Sequence, residues 1–188
     1  MPPTKLLIIR HAEKPDDGAG GVTEVGAIDK KSLTPIGWER AGALAVLFAN
    51  PTLRPGLARP DHVYAAAPEQ AGGGGSASRR PYETVVPAAR ALGLAINEAF
   101  DKDSFTAMLS DAMRLEGVVL ISWEHKALAA ALSRDGLGPG VAVSGLLPAR
   151  WPDDRFDLVW VFDRRADGGF AFSQVAQGLL AGDDLHVL

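Results

Sequence analysis

The chain has 188 residues, 47% hydrophobic and 22% charged, which are the proportions of a folded globular protein of one domain rather than of a disordered chain. Its formal net charge of −4 leaves no basic footprint for nucleic acid, so an anionic ligand has to be drawn in by a local group of arginines. The absence of cysteine excludes disulfides, thiolate metal sites and a cysteine nucleophile.

Met1 to Lys5 leads into only four aliphatic residues, Leu6 to Ile9, too few for a signal-peptide core or a membrane span; the expectation is a cytoplasmic protein with no membrane partner. The same four residues predict a strand buried on both faces, of the kind found centrally in a parallel sheet. Arg10 and His11 then emerge at its carboxyl end, where open α/β sheets place their ligands. Residues 15–33 are rich in Gly and Asp without a sustained period, and are expected to be a loop that walls the site.

A helix opens at Thr34, a good N-cap, with Pro35 in the first helical position and Ala41, Leu44, Leu47 and Phe48 on one face; Asn50 and Pro51 stop it. A second strand is expected over His62 to Ala66. The four glycines Gly72 to Gly75 follow, and they read as a flexible insertion or lid. A phosphate-binding nucleotide loop is disfavoured there, because the lysine and hydroxyl of a Walker motif are missing. Residues 82–92 predict a second helix with Pro87 in or near its first turn and Gly93 as its end. Further strands are expected over Leu94 to Phe100 and Gly117 to Trp123, with helices over Phe105 to Leu115 and Ala127 to Leu132. Two apolar runs, Leu158 to Phe162 and Gly169 to Ser173, flank the Asp167, Gly168 turn and predict an antiparallel pair at the sheet edge. This alternation of strands and helices argues for an α/β protein, three layers α/β/α around a mainly parallel sheet with an antiparallel edge.

Four stretches carry a resemblance: RHAEK at 10–14, LTPIGWERA at 33–41, SRRPYETV at 78–85 and VVLISWEHKAL at 118–128. In this order they resemble the histidine phosphatase superfamily, the phosphoglycerate mutase-like phosphatases with an RHG signature, although Ala12 stands in the usual Gly place. The resemblance covers roughly two thirds of the chain and implies a phosphoglycerate mutase-like fold, no cofactor, no metal, and a phosphohistidine intermediate. It implies His11 as the nucleophile, Arg10 and Arg80 as phosphate ligands, and His125 as a second phosphate-binding histidine. Arg80 rather than Arg79 fits the register of Arg80, Pro81, Tyr82, Glu83, Thr84.

The chemistry agrees, because phosphoryl transfer through an enzyme intermediate needs a nucleophile, cations for the phosphoryl oxygens, and an acid for the leaving oxygen. The planar guanidinium fork suits phosphate in a way that lysine does not. Glu124, next to His125, is favoured as the acid; Asp103 is the alternative found in another branch, and Glu13 is close in sequence without being placed as a donor. Around His125 the chain departs from the family, with Lys126 where Gly is common. His62 and His186 sit in no matching motif and read as structural or exposed. The expected activity is a metal-independent phosphatase acting on a small phosphomonoester or on the phosphohistidine of a partner protein. The alternatives are a catalytically weak phosphate-binding or protein-interaction module on the same fold, a phosphoglycerate mutase-type phosphotransferase, and a nucleotide-binding protein using the glycine run.

Overall fold

The computed structural model describes residues 2–16, 20–68 and 78–188. The Gly72 to Gly75 run lies outside the described residues. The aliphatic run forms β1, Lys5–Arg10, which pairs in parallel with β4, Val118–Trp123, and antiparallel with β6, Leu158–Arg164. Outward from β4 come β2, His62–Ala65, and β3, Ile96–Asn97, both parallel; outward from β6 come β7, Phe170–Ala176, antiparallel, and β5, Val143–Ser144. Among the described residues the order β3-β2-β4-β1-β6-β7-β5 puts β1 at the middle of seven strands. The hairpin is therefore not the edge. β6 reaches into the sheet beside β1, and the two-residue β5 closes that side.

Alternation along the strands feeds two cores. Leu7, Ile9, Val63, Leu120, Val159 and Val161 face one side, under α1, Pro35–Ala49, and α2, Arg80–Leu92. Leu6, Ile8, Ile121, Trp123, Trp160 and Phe162 face the other, under α3, Phe105–Ala112, and α4, His125–Asp135. Each such side chain, fully buried, contributes about 1.5–3 kcal/mol. The layers are those expected, α/β/α. Among the described residues no helix is long and apolar enough to cross a membrane.

Local chemistry sets the helix ends. Thr34 caps α1 by accepting from the Gly37 N–H at 3.2 Å, and its own N–H and hydroxyl donate to the Glu13 carbonyl, which anchors the helix start beside the end of β1. In α2 the sequence expectation fails. The helix begins at Arg80, two residues early, because Pro81 takes the first turn and the Thr84 hydroxyl donates back to the Arg80 carbonyl at 2.7 Å. Pro87 consequently lies inside the helix, where it removes the donor that the Glu83 carbonyl would receive. Gly93 ends α2 in the left-handed region, φ 71°, which glycine enters without a Cβ penalty. The expected third strand shrinks to Ile96–Asn97, since only these residues pair with Val63 and Tyr64.

Candidate active site

The register of β1 against β4 builds the site. Arg10 pairs with Trp123, and the His11 N–H donates to the Trp123 carbonyl at 3.0 Å, so the two strands end side by side. Arg10 and His11 leave the sheet next to Glu124 and His125, with the two imidazole centroids 6.1 Å apart. A cavity of about 220 Å³ opens there; both histidines, Arg80 and Glu124 line it, and Lys14, Lys102 and Lys126 add three cations.

His11 is only 4% exposed, yet it lines the cavity. Its Nδ1 lies 2.7 Å from the Ala12 carbonyl, so Nδ1 donates and Nε2 keeps its lone pair. Burial, reinforced by the positive charge of Arg10, Arg80 and His125, pulls its pKa down to about 3. The ring is thus a neutral base across the physiological range. The Ala12 N–H donates to the Thr84 hydroxyl at 2.8 Å, tying the turn after the strand to α2.

Arg10 is buried, and it is not the open fork the sequence suggested. One terminal nitrogen donates to the carbonyls of Pro152, Asp153 and Arg155 at 2.8, 3.0 and 3.3 Å, and the guanidinium carbon stands 4.0 Å over the centre of the Phe156 ring. Half of the group therefore fastens the loop ahead of β6. Its Nε and other terminal nitrogen are buried with no partner among the described residues. Burial lowers the pKa to about 10, so the group is charged at neutral pH with two donors unspent. Leaving a buried donor unpaired costs about 1–3 kcal/mol, a deficit an anion would remove.

Arg80 and Arg79 take different places. Arg80 lines the cavity, half-buried, with its Nε donating to the Lys31 carbonyl at 3.3 Å. Arg79 instead approaches Glu83 at 3.4 Å. Glu83, buried, accepts from the Ser32 hydroxyl at 2.8 Å and from the Leu33 N–H at 2.9 Å, and burial raises its pKa. Residues 20–33 thus brace the start of α2 through Lys31, Ser32 and Leu33; of the expected wall over 15–33, none of the described residues lines the cavity, and residues 17–19 lie outside the described residues.

His125 opens α4, two residues earlier than expected, because Glu124 acts as its N-cap: Oε2 accepts from the Ala127 N–H at 2.7 Å. The ring is 2% exposed and is bracketed by carboxylates. Glu124 Oε1 lies 3.0 Å from Nδ1, out of line for a hydrogen bond, and Asp153 Oδ1 lies 2.6 Å from Nε2. Burial pushes the Glu124 carboxyl up, but the His125 ring and the Ala127 and Lys126 N–H groups outweigh it and hold the pKa at about 2.

The other sequence candidates do not converge here. Asp103 has a 70% exposed side chain paired with Lys102 at 3.0 Å, and only Lys102 reaches the cavity. Glu13 pairs with the buried Arg40, which also holds Asp183 and Gln177. His62 contacts the Glu116 carbonyl and His186 lies exposed beside Asp184, both away from the cavity. Sequence reasoning missed Asp153 and Phe156. The hairpin held the signal: a strand antiparallel to β1 starts where β1 ends, so the residues before Leu158 must lie over Arg10 and His11.

No family model matches the chain, and no curated protein matches it. Among solved structures it is similar to a mycobacterial glucosyl-3-phosphoglycerate phosphatase complexed with VO3, at 12% identity and a TM-score of 0.50, covering 91% of this chain and 97% of that one. It is also similar to a protein called mycobacterial hydrolase 1, at 13% identity and a TM-score of 0.50, covering 94% and 99% of the two chains. What these likenesses share with the chain is the path of the backbone, and on that ground the chain has the phosphoglycerate mutase-like α/β fold.

Proposed function

We propose that the protein is a phosphatase that hydrolyses either a small phosphomonoester or the phosphohistidine of a partner protein, through a phosphohistidine formed on His11. The observation that carries this reading is the buried neutral imidazole, Nδ1 committed to the Ala12 carbonyl and Nε2 without a hydrogen bond among the described residues, beside an arginine with two buried donors that have no partner among those residues. In the first step the Nε2 lone pair attacks phosphorus, and the bond to the leaving atom, an ester oxygen or the ring nitrogen of a phosphohistidine, breaks as that atom takes a proton from the Glu124 carboxyl. In the second, a water loses a proton to the Glu124 carboxylate and attacks phosphorus, and the bond from phosphorus to Nε2 breaks, which returns His11 to the neutral ring. Arg10, Arg80 and His125 hold the phosphoryl oxygens, and a preorganised cationic site of this kind stabilises the charge that develops on them.

Glu124 is the carboxylate we assign to the proton, because it lines the cavity whereas Asp103 does not. In the free protein it is ionised; a phosphate dianion beside it raises its proton affinity as the like charge approaches. The lining cations take the place a metal would have, and turnover is accordingly proposed to survive chelation.

The test is trapping with a phosphate-labelled substrate followed by acid quench. One acid-labile, base-stable label per chain on His11 is expected, and none on His11→Ala. Label on a serine, or label persisting in His11→Ala, would remove the mechanism. Binding of phosphate without any turnover would point instead to a phosphate-binding module on the same fold.

A further inference from the structure

The cavity is built to receive an anion, yet His125, which lines it, already holds a carboxylate of the protein's own. Asp153 Oδ1 sits 2.6 Å from His125 Nε2, a length of strong, charge-assisted contact. The burial of the two partners is unequal: the ring is 2% exposed and the Asp153 side chain 66%. The ring is enclosed by its neighbours, whereas the carboxylate stands largely in solvent and turns about two side-chain bonds. Its backbone is fixed independently, since the carbonyls of Pro152, Asp153 and Arg155 all accept from Arg10. A destination is also present, because Lys126 Nζ already lies 3.5 Å from the other oxygen, Oδ2.

We infer that Asp153 is a resident carboxylate that holds Nε2 of His125 in the free protein, is displaced towards Lys126 when a phosphoryl group takes that nitrogen, and returns to expel inorganic phosphate after turnover. This rests on the phosphatase reading above and adds a residue that sets affinity rather than chemistry. The consequence follows from competition: the apparent affinity for any anion at His125 falls by the fraction of time the ring is free. With the carboxylate in place about nine-tenths of the time, phosphate and substrate each bind about tenfold more weakly than they would without it. Rapid product release is the gain. Side-chain rotation of an exposed carboxylate takes picoseconds to nanoseconds, far shorter than a catalytic cycle, so the switch itself limits nothing.

The experiment titrates the full-length protein with inorganic phosphate at pH 8 by calorimetry and measures phosphate inhibition of p-nitrophenyl phosphate hydrolysis. Asp153→Asn keeps the shape and removes the charge; Asp154→Asn removes the neighbouring charge and controls for the general field. Asp153→Asn is expected to bind phosphate about tenfold more tightly, with KM lowered by a similar factor, while Asp154→Asn changes either by less than twofold. Equal or weaker phosphate binding in Asp153→Asn, with the wild type binding phosphate and turning over, overturns the resident-carboxylate role and leaves the phosphatase reading intact. Unchanged binding with a fall in turnover confined to alkyl phosphates would make Asp153 the proton donor and equally overturn it. If the wild type neither binds phosphate nor hydrolyses the ester, both readings fall together.

Discussion

Replacing His11 by Asn isolates the cost of keeping an imidazole neutral in a buried, positively charged place. The Asn side-chain nitrogen stands where the ring Nδ1 does, so the donor to the Ala12 carbonyl is retained while the titration disappears. The folded-state pKa of about 3 lies below the value of 6.5 for a free histidine, so between these values the unfolded chain binds a proton that the native protein refuses. The stability from this group is therefore complete above pH 6.5 and is lost as the pH falls towards 3. At pH 4.5 the unfolded chain is favoured by about RT ln 100, or about 2.7 kcal/mol, through this residue alone. Urea unfolding of both proteins at pH 7.5 and pH 4.5, without phosphate, measures the difference. The carboxylates contribute to both and cancel in the comparison. The wild type should lose about 2–3 kcal/mol more than His11→Asn between the two pH values. Parallel losses would show that His11 titrates normally in the folded protein, and the account of it as a buried neutral base would be wrong.

Arg80→Lys should lower kcat/KM by about thirtyfold, near 2 kcal/mol, because the guanidinium that faces the cavity is exchanged for a point charge; Arg79→Lys, paired with Glu83, should change it little, and equal effects measured in steady-state kinetics would refute the register. Glu124→Gln should slow an alkyl phosphate about a hundredfold while sparing p-nitrophenyl phosphate, whose leaving group scarcely needs a proton, and Asp103→Asn should spare both. The reverse pattern would move the proton to Asp103. Gly37→Ala would place a Cβ 2.7 Å from the Glu13 carbonyl oxygen, where backbone must shift, so thermal unfolding should show a loss of about 1–3 kcal/mol and turnover should fall with the displaced end of β1; an unchanged melting temperature would argue against so close a contact.

What the sequence determined by itself is everything carried by contiguous residues. Leu6 to Ile9 followed by Arg10 and His11 dictates a buried strand with polar groups at its carboxyl end, and Val118 to Trp123 followed by Glu124 and His125 dictates the same, so two histidines on one sheet edge were legible before any coordinates. Thr34 and Pro35 announce a helix start because capping is a matter of a few neighbouring atoms. Pro87 was misread, since the local penalty for an interior proline is real, but the packing of α2 on the sheet and the hydrogen bonds at Arg80 and Glu83 outweigh it.

Tertiary structure decided the rest, and for one physical reason: burial and ion pairing depend on what arrives from far along the chain. His11 becomes a neutral base only once Arg10, Arg80 and His125 surround it away from water. Half of Arg10 is spent on carbonyls more than 140 residues distant, brought over it because β6 returns antiparallel to β1. Among the carboxylates, Glu124 reaches the cavity, Asp103 points to solvent beside Lys102, and Asp153, unremarkable as a residue in a polar loop, comes to rest on the ring of His125. No period or motif encodes that last contact, because it joins two segments whose only relation is the register of a sheet.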